Sequence, residues 1–144
     1  MVRGHDHTVR VKAIYLNTDL NLRARFDFAA LHLEFVSLGL DHSQPNILNG
    51  VWYVTYNAAR HSNPSEAIDM MLDVVDRLSP EGRFLWDSCL ARRFNIGYGF
   101  SDEPFGWSHS AWQFKPPLLA RVAAAKASIV TTIYRTDMRE IRLS

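Results

Sequence analysis

Strand-like and helix-like segments alternate along the chain, and this order constrains the fold more than any other feature of the sequence. β-Branched and aromatic residues, or alternation of apolar and polar residues, predict four strands, over 9–16, 51–57, 92–100 and 128–134. A short fifth strand over 40–43 would lead towards a hairpin at the Asn49-Gly50 pair. Apolar residues at helical spacing predict four helices, over 27–38, 64–78, 80–89 and 116–126.

The residues at the ends of these segments are of the types that strand and helix termini favour. Asp27 and Asn63 precede helices as N-caps, and Pro64 takes the first helical position. The run 17–19, Asn-Thr-Asp, follows the first strand and is typical of a turn, because these side chains bond to nearby backbone. We therefore expect the first strand to end before residue 17.

The predicted strands keep polar residues or glycines on one face. These residues are Arg10 and Lys12, Asn95 with Gly97 and Gly99, and Thr131. Parallel strands covered on both faces would be apolar throughout. The sequence therefore predicts an α+β fold, with a mixed, largely antiparallel sheet of four to five strands and helices packed mainly on one face. A small doubly wound sheet is the alternative. We expect a single domain over 1–144, with a flexible N-terminus at 1–8 and a charged C-terminal tail at 136–144.

Composition argues against several classes of partner. The net charge is +1, and the 16 Lys and Arg residues are scattered among 15 Asp and Glu, so no surface for nucleic acid is predicted. No apolar run reaches the roughly 20 residues that cross a bilayer, so no membrane partner is expected. The N-terminus lacks a signal-peptide pattern and Cys89 is the one cysteine, which together predict a cytoplasmic protein.

Aromatic residues are concentrated in one stretch, 86–114, which has eight of them. Part of this stretch belongs to a predicted helix and strand, but 100–114 has loop composition and still contains large rings. Exposed rings forgo their burial energy, so such a loop folds back onto the protein or contacts a partner. We therefore predict a binding site, with these candidate residues: Phe105, Trp107, His109, Trp112, Asp102, Glu103, Arg92 and Arg93.

Two single residues have types that catalysis can use. Asp19, after the first strand, could act as a general base or a metal ligand, although a backbone-bonding turn residue is the simpler interpretation. Cys89 and His109 flank the aromatic stretch as a conceivable nucleophile and base. A cysteine on the apolar side of a short helix is more often a small buried side chain.

Paired groups give no stronger indication of chemistry. Asp102 and Glu103 are adjacent in a turn, so they do not set the separation that glycoside hydrolysis requires. Arg92 and Arg93 could bind an anion or pair with these two acids. His5 and His7 alternate as two ligands of a metal site would, but no third ligand is identifiable, and a flexible N-terminus with two histidines is the simpler interpretation. Phosphate-loop, nucleophile-elbow and zinc-ligand motifs are absent, so no catalytic residue, metal or cofactor is predicted.

Three segments carry a resemblance to other proteins. They are Tyr-Leu-Asn-Thr-Asp-Leu at 15–20, Val-Trp-Tyr-Val-Thr-Tyr at 51–56, and Leu-Trp-Asp-Ser-Cys…Arg-Arg-Phe-Asn-Ile-Gly-Tyr…Asp-Glu-Pro at 85–104, followed by Thr-Thr-Ile-Tyr at 131–134. Together they are similar to a group of small uncharacterised bacterial proteins, over nearly the whole chain. The architecture more distantly resembles toxin-immunity-like α+β domains. The resemblance implies no catalytic residues, and architecture alone is a poor guide to function.

Two functions follow from these patterns. The leading hypothesis is a protein-binding module, immunity-like or of another interaction type, in which Trp107 and Trp112 with Arg92 or Arg93 anchor a protein partner. The alternative is a small-molecule-binding protein or enzyme whose pocket is covered by the same loop. Self-association through the loop or through an edge strand is compatible with both.

Overall fold

A computed structural model describes residues 10–58, 61, 63–103 and 111–135, and for 10–12 and 101–103 it describes the backbone only. The elements in this part of the chain are β1 (Arg10–Ala24), α1 (Ala29–Ser37), β2 (Asp41–His42), β3 (Asn46–Leu48), β4 (Val51–Asn57), α2 (Pro64–Asp76), α3 (Pro80–Asp87), β5 (Ala91–Glu103), α4 (Pro116–Ala124) and β6 (Ser128–Arg135). None of these helices is long and apolar enough to cross a bilayer.

The strands form one sheet in the order β2-β4-β1-β5-β6, and β3 also pairs with β4. All pairs are antiparallel except β5 with β6, which α4 connects. The predicted α+β class and largely antiparallel sheet are therefore confirmed. The sheet has six strands, more than predicted, because two very short strands, β2 and β3, share the edge next to β4. Between β3 and β4, Asn49 and Gly50 both have positive φ, 54° and 77°, as a tight hairpin turn requires.

The prediction for the first strand was wrong at its C-terminal end. β1 continues through residues 17–19 to Ala24 and lies in the middle of the sheet, paired with β5 along most of its length and with β4 from Asp19 onward. The reason is its continuing alternation: Leu20, Leu22 and Ala24 are fully buried. Burying this apolar face outweighs the local turn preference of Asn, Thr and Asp. A β-bulge between Tyr15 and residue 17 is the remaining irregularity in its pairing with β5.

The helices pack on one face of the sheet. The buried strand residues that point towards them are Leu20, Leu22, Val54, Tyr56, Phe94 and Ile96, and the helices add Leu31, Phe35, Ile68, Met71 and Trp86 to the same core. The opposite face is polar and more exposed. There Thr55 Oγ1 donates to Asn21 Oδ1 (3.1 Å) and Thr132 Oγ1 donates to Asn95 Oδ1 (2.7 Å). Thr131, which we placed on this polar face, pairs with Ile96 and lies on the helix side, one residue out of the predicted register.

The helix starts follow the predicted capping residues closely. Asn63 Oδ1 accepts a hydrogen bond from the Glu66 amide (2.9 Å), and Pro64 is the first residue of α2. The cap of α1 is Phe28 rather than Asp27, although Asp27 Oδ1 still accepts a hydrogen bond from the Ala29 amide (2.8 Å). These caps fix where α1 and α2 begin on the sheet.

Candidate functional site

A cleft of about 660 Å³ opens between α2, α4 and residues 111–115. Trp112, Pro117 and Leu118 give it apolar walls, and its polar lining includes Ser65, Asp69, Lys115 and Arg121. We call it the Trp112 cleft. Its volume is in the range that small-ligand and side-chain pockets have.

The Trp112 ring is fixed from behind by two tyrosines of the sheet. Its centroid lies 4.7 Å from that of Tyr98 in β5 and 6.5 Å from that of Tyr15 in β1, and the two tyrosine rings lie 6.1 Å apart, edge to face. The Tyr15 hydroxyl is also hydrogen-bonded to Thr18 Oγ1 (2.6 Å). Burial raises the pKa of Tyr15 and of Tyr98, so both remain neutral phenols at physiological pH. The half-buried Trp112 is therefore a preorganised aromatic wall.

The segment that contains Trp112 is tied to the start of α2. Ser65 Oγ donates a hydrogen bond to the Gln113 carbonyl oxygen (3.0 Å), across 48 positions of sequence. At the other end of the segment, the Lys115 carbonyl oxygen accepts hydrogen bonds from the amides of Leu118 and Leu119 as α4 begins. Residues 113 and 115 are thus anchored to α2 and α4, which hold the Trp112 segment at this side of the cleft.

Asp69 and Arg121, which line the cleft, belong to a larger cluster of charges. Arg121 of α4 donates to three aspartates of α2: Nη1 to Asp69 (2.5 Å), and Nη2 to Asp73 (2.9 Å) and to Asp76 (2.9 Å). Partial burial disfavours the charged guanidinium, but the three carboxylates outweigh this and raise the pKa of Arg121. Asp76 also lies 4.0 Å from Arg83 (Nη1 to Oδ1), so three carboxylates are shared by two arginines. Asp69 lines the cleft, and Asp73 and Asp76 continue the cluster along α2 beside it. The Asp side chains are more than half exposed, so the cluster contributes little to stability.

A smaller cleft, of about 500 Å³, lies where β1 extends past the end of β4. Tyr15, Thr18, Asn57 and His61 are among its lining residues. No group of three or more His, Cys, Asp and Glu side chains in the described part of the chain is arranged to hold a metal ion.

The predicted aromatic loop lies largely outside the described residues. Phe105, Trp107 and His109 are among 104–110, which the structure does not describe. Asp102 and Glu103, which we predicted in a turn, instead belong to β5, because backbone pairing with the long strand β1 continues to residue 103; their side chains are not described. Of the six candidate residues in this loop, Trp112 alone has a described side chain, and it lines the cleft. The site prediction is thus neither confirmed nor contradicted for the other five residues.

The two predicted arginine anchors have different environments. Arg92 is partly buried, and its guanidinium donates hydrogen bonds to main-chain carbonyls: Nε to Lys126 (2.8 Å), and Nη1 to Trp86 (2.9 Å) and Cys89 (2.8 Å). It therefore joins the end of α3 to the residues after α4. Arg93 is exposed on the polar face of the sheet.

The two weaker candidates lie apart from the Trp112 cleft. Asp19 is half-buried on the polar face, where Asn57 and Asn95 are its cross-strand neighbours, and burial raises the pKa of its carboxyl. Cys89 is 7% exposed, and burial raises the pKa of its thiol to about 11 although Arg92 acts in the opposite direction. A thiol that is neutral at physiological pH is a poor nucleophile.

The charged residues of the cleft were missed by the sequence reasoning. Asp69, Asp73 and Asp76 recur at intervals of four and three residues, which places them on one exposed side of α2. That spacing was the available signal. Nothing in the sequence indicated that Arg121, 45 positions beyond Asp76, would lie against them.

Comparison with known proteins found no similar protein. No protein-family model, curated protein or solved structure matches the chain. The geometry of the described residues is therefore what supports a functional assignment.

Proposed function

We propose that the protein is a protein-binding module and that the Trp112 cleft is its contact surface. The observation that carries the proposal is the preorganised ring of Trp112, held by Tyr15 and Tyr98 at the wall of an open cleft. Tryptophan, tyrosine and arginine dominate the energetics of protein interfaces, and they act most strongly in preformed pockets. A ring already fixed in place loses little side-chain entropy when a partner binds.

The charges of the cleft specify the partner further. Along α2, beside the cleft, three carboxylates outnumber the guanidinium groups of Arg121 and Arg83. This excess favours a partner segment that places a basic side chain next to α2. The apolar walls of Trp112 and Leu118 favour an aliphatic or aromatic side chain beside it. The partner is thus a segment in which an apolar residue and a basic residue are neighbours. We expect this contact in the cytoplasm, which the sequence composition predicts. The resemblance to small bacterial proteins implies a bacterial protein, and an immunity-like role is one form that the contact could take.

Site-specific photocrosslinking is the first experiment. A benzoylphenylalanine at Lys115, on the rim of the cleft, should give a discrete protein adduct on irradiation in cells. The same group at Arg25, exposed just beyond the far end of β1, should give none. Equal labelling at both positions would contradict the proposal.

Binding of the purified partner then tests the chemistry. Trp112→Ala should weaken the affinity about 30-fold or more, which corresponds to a hot-spot loss of roughly 2 kcal/mol. Asp73→Lys should weaken the affinity about 10-fold through charge reversal, whereas the matched control Arg25→Glu should leave it within about twofold of wild type. Unchanged affinity for Trp112→Ala, with the fold intact by circular dichroism, would refute the contact surface.

A small-molecule ligand in the same cleft is the second candidate, favoured by the volume of about 660 Å³. It predicts no protein adduct from the Lys115 position. It also predicts that a fragment library produces saturable chemical-shift changes at the Trp112 indole in wild type, which are absent in Leu118→Lys. These two results together would identify the protein as a small-molecule binder.

A further inference from the structure

The sheet exposes unpaired backbone at three places in the part of the chain that the structure describes. These are the outer side of β2 and β3, the half of β1 that extends past β4, and the outer side of β6 from Ser128 to Tyr134. Unpaired N–H and C=O groups along a strand edge are a template for another strand, and proteins usually protect such edges.

Two of these places are protected. β2 and β3 have only two and three residues, and Pro45 lies between them. The free half of β1 contains the bulge at Leu16, which disrupts regular pairing. Its sequence also includes Arg10 and Lys12. Short strands, proline, bulges and charged residues are the means by which edge pairing is normally prevented.

From Ser128 to Tyr134, the β6 edge has none of these protections. Its eight residues pair with β5 in uninterrupted register from Ser128 to Arg135, and no described strand lies on its other side. There is no proline, and the first charged residue is the last one, Arg135. Three apolar side chains are substantially exposed: Val130 (36%), Ile133 (61%) and Tyr134 (50%). An exposed, regular, β-branched edge of this length is expected to have a partner.

The sequence of β6 indicates which partner fits. Residues 129–133 read Ile-Val-Thr-Thr-Ile, which is nearly the same in both directions about Thr131 because valine and threonine have almost the same shape. When two copies of such a strand pair antiparallel, each residue meets its own type or a near-isostere. Ile129 would lie opposite Ile133 of the second copy, Val130 opposite Thr132, and Thr131 opposite Thr131. Matched β-branched pairs of this kind stabilise antiparallel sheets.

We infer that β6 is a homodimer interface, in which the β6 strands of two copies pair antiparallel about a twofold axis at Thr131. The six-stranded sheets then join into one continuous sheet of twelve strands, with the helices of both copies on the same side. A twofold contact uses the β6 edge of both copies, so it closes and does not propagate into filaments. The inference is independent of the Trp112 cleft, and either can fail without the other.

Sedimentation equilibrium tests the assembly. The wild-type chain should have twice the monomer mass of 16.5 kDa at micromolar concentrations. Ile133→Lys and Val130→Lys, on opposite faces of β6, should both be monomeric. The matched control Leu33→Lys, at an equally exposed leucine of α1 (68%), should remain dimeric. A wild-type protein that stays monomeric at about 100 µM, or a dimer that survives both β6 substitutions, would overturn the inference.

Disulfide formation tests the register. Directly opposed residues of an antiparallel pair have Cα atoms about 4.5–5.5 Å apart, which a disulfide spans. Thr131→Cys should therefore cross-link two copies on mild oxidation, since buried Cys89 does not compete. Ser128→Cys should not, because the two Ser128 positions would be separated by about six residues, roughly 20 Å along the strands. Equal cross-linking of both variants would indicate random collision and refute the proposed pairing.

Hydrogen exchange tests the remaining explanation, in which another part of the same chain covers the β6 edge. In the dimer, amide protection in β6 should decrease as the protein is diluted below the dissociation constant. Protection that is strong and independent of concentration would show that another part of the same chain pairs with β6, and would overturn the inference.

Discussion

Replacing Arg92 should destabilise the protein far more than replacing its neighbour Arg93. The Arg92 guanidinium makes three short hydrogen bonds to main-chain carbonyls, of 2.8, 2.9 and 2.8 Å, and these connect β5 with the ends of α3 and α4. Arg93 is on the exposed polar face of the sheet. The two residues are adjacent and identical in type, so each is the control for the other.

The magnitude follows from the hydrogen bonds that Arg92→Met removes. Methionine keeps most of the apolar stem but leaves the carbonyls of Trp86, Cys89 and Lys126 without this donor. Bonds from a charged donor are worth about 1.5–3 kcal/mol each when buried, and about 1 kcal/mol is appropriate here because Arg92 is partly exposed. We expect a loss of about 3 kcal/mol in the free energy of unfolding. For a domain of this size, that lowers Tm by about 10 °C.

Urea unfolding followed by tryptophan fluorescence measures the effect. Arg92→Met should lower the urea concentration at the unfolding midpoint without changing the slope of the transition. The midpoint of Arg92→Lys should lie between those of wild type and Arg92→Met, because an ammonium group replaces only some of the guanidinium donors. Arg93→Met should change stability by less than about 0.5 kcal/mol. If Arg92→Met and Arg93→Met are equally stable, the structural role that we assign to Arg92 is wrong.

Three further predictions concern other residues of the fold. Cys89, with a pKa of about 11, should resist a thiol reagent at pH 8 in the folded protein and react at once in urea; rapid labelling of the native state would contradict its burial. Asp19 has a raised pKa, so its ionisation opposes folding above its unfolded pKa; Asp19→Asn should stabilise the protein at pH 7 and give no gain at pH 3, which thermal unfolding at both pH values can check. A Cβ on Gly82 would lie 2.5 Å from the Glu34 carboxylate, which accepts hydrogen bonds from the amide and hydroxyl of Ser79. The effect of Gly82→Ala on the free energy of unfolding should therefore be about 1 kcal/mol more favourable in a Glu34→Ala background than in wild type. Additive effects in this double-mutant cycle would refute the coupling.

Local sequence determined the secondary structure wherever one strong signal acted alone. Asn63 followed by Pro64 set the start of α2, and the Asn49-Gly50 pair set the hairpin between β3 and β4, because a cap or a positive φ depends only on nearby atoms. The α+β class also followed from the sequence, since strand faces covered on one side leave an alternating pattern. These features needed no knowledge of distant contacts.

Where local and distant forces competed, only the tertiary structure decided the outcome. Residues 17–19 have the chemistry of a turn, yet burial of Leu20 and Leu22 against the helices extends β1 through them. Turn preferences amount to a small part of the free energy that burying two leucines provides. The strand conformation therefore prevails over the turn that the local sequence favours.

The candidate site depended almost entirely on tertiary structure. The sequence identified Trp112 as a candidate, but not the tyrosines behind it, nor Arg121 against the aspartates of α2. It also could not distinguish Arg92, which bonds to main-chain carbonyls, from the exposed Arg93. The type of a residue limits which bonds its side chain can make. The packing of segments far apart in the chain determines which groups lie within bonding distance of that side chain. The sequence thus determined most of the helices and strands, and the folded structure determined where β1 ends and which side chains meet.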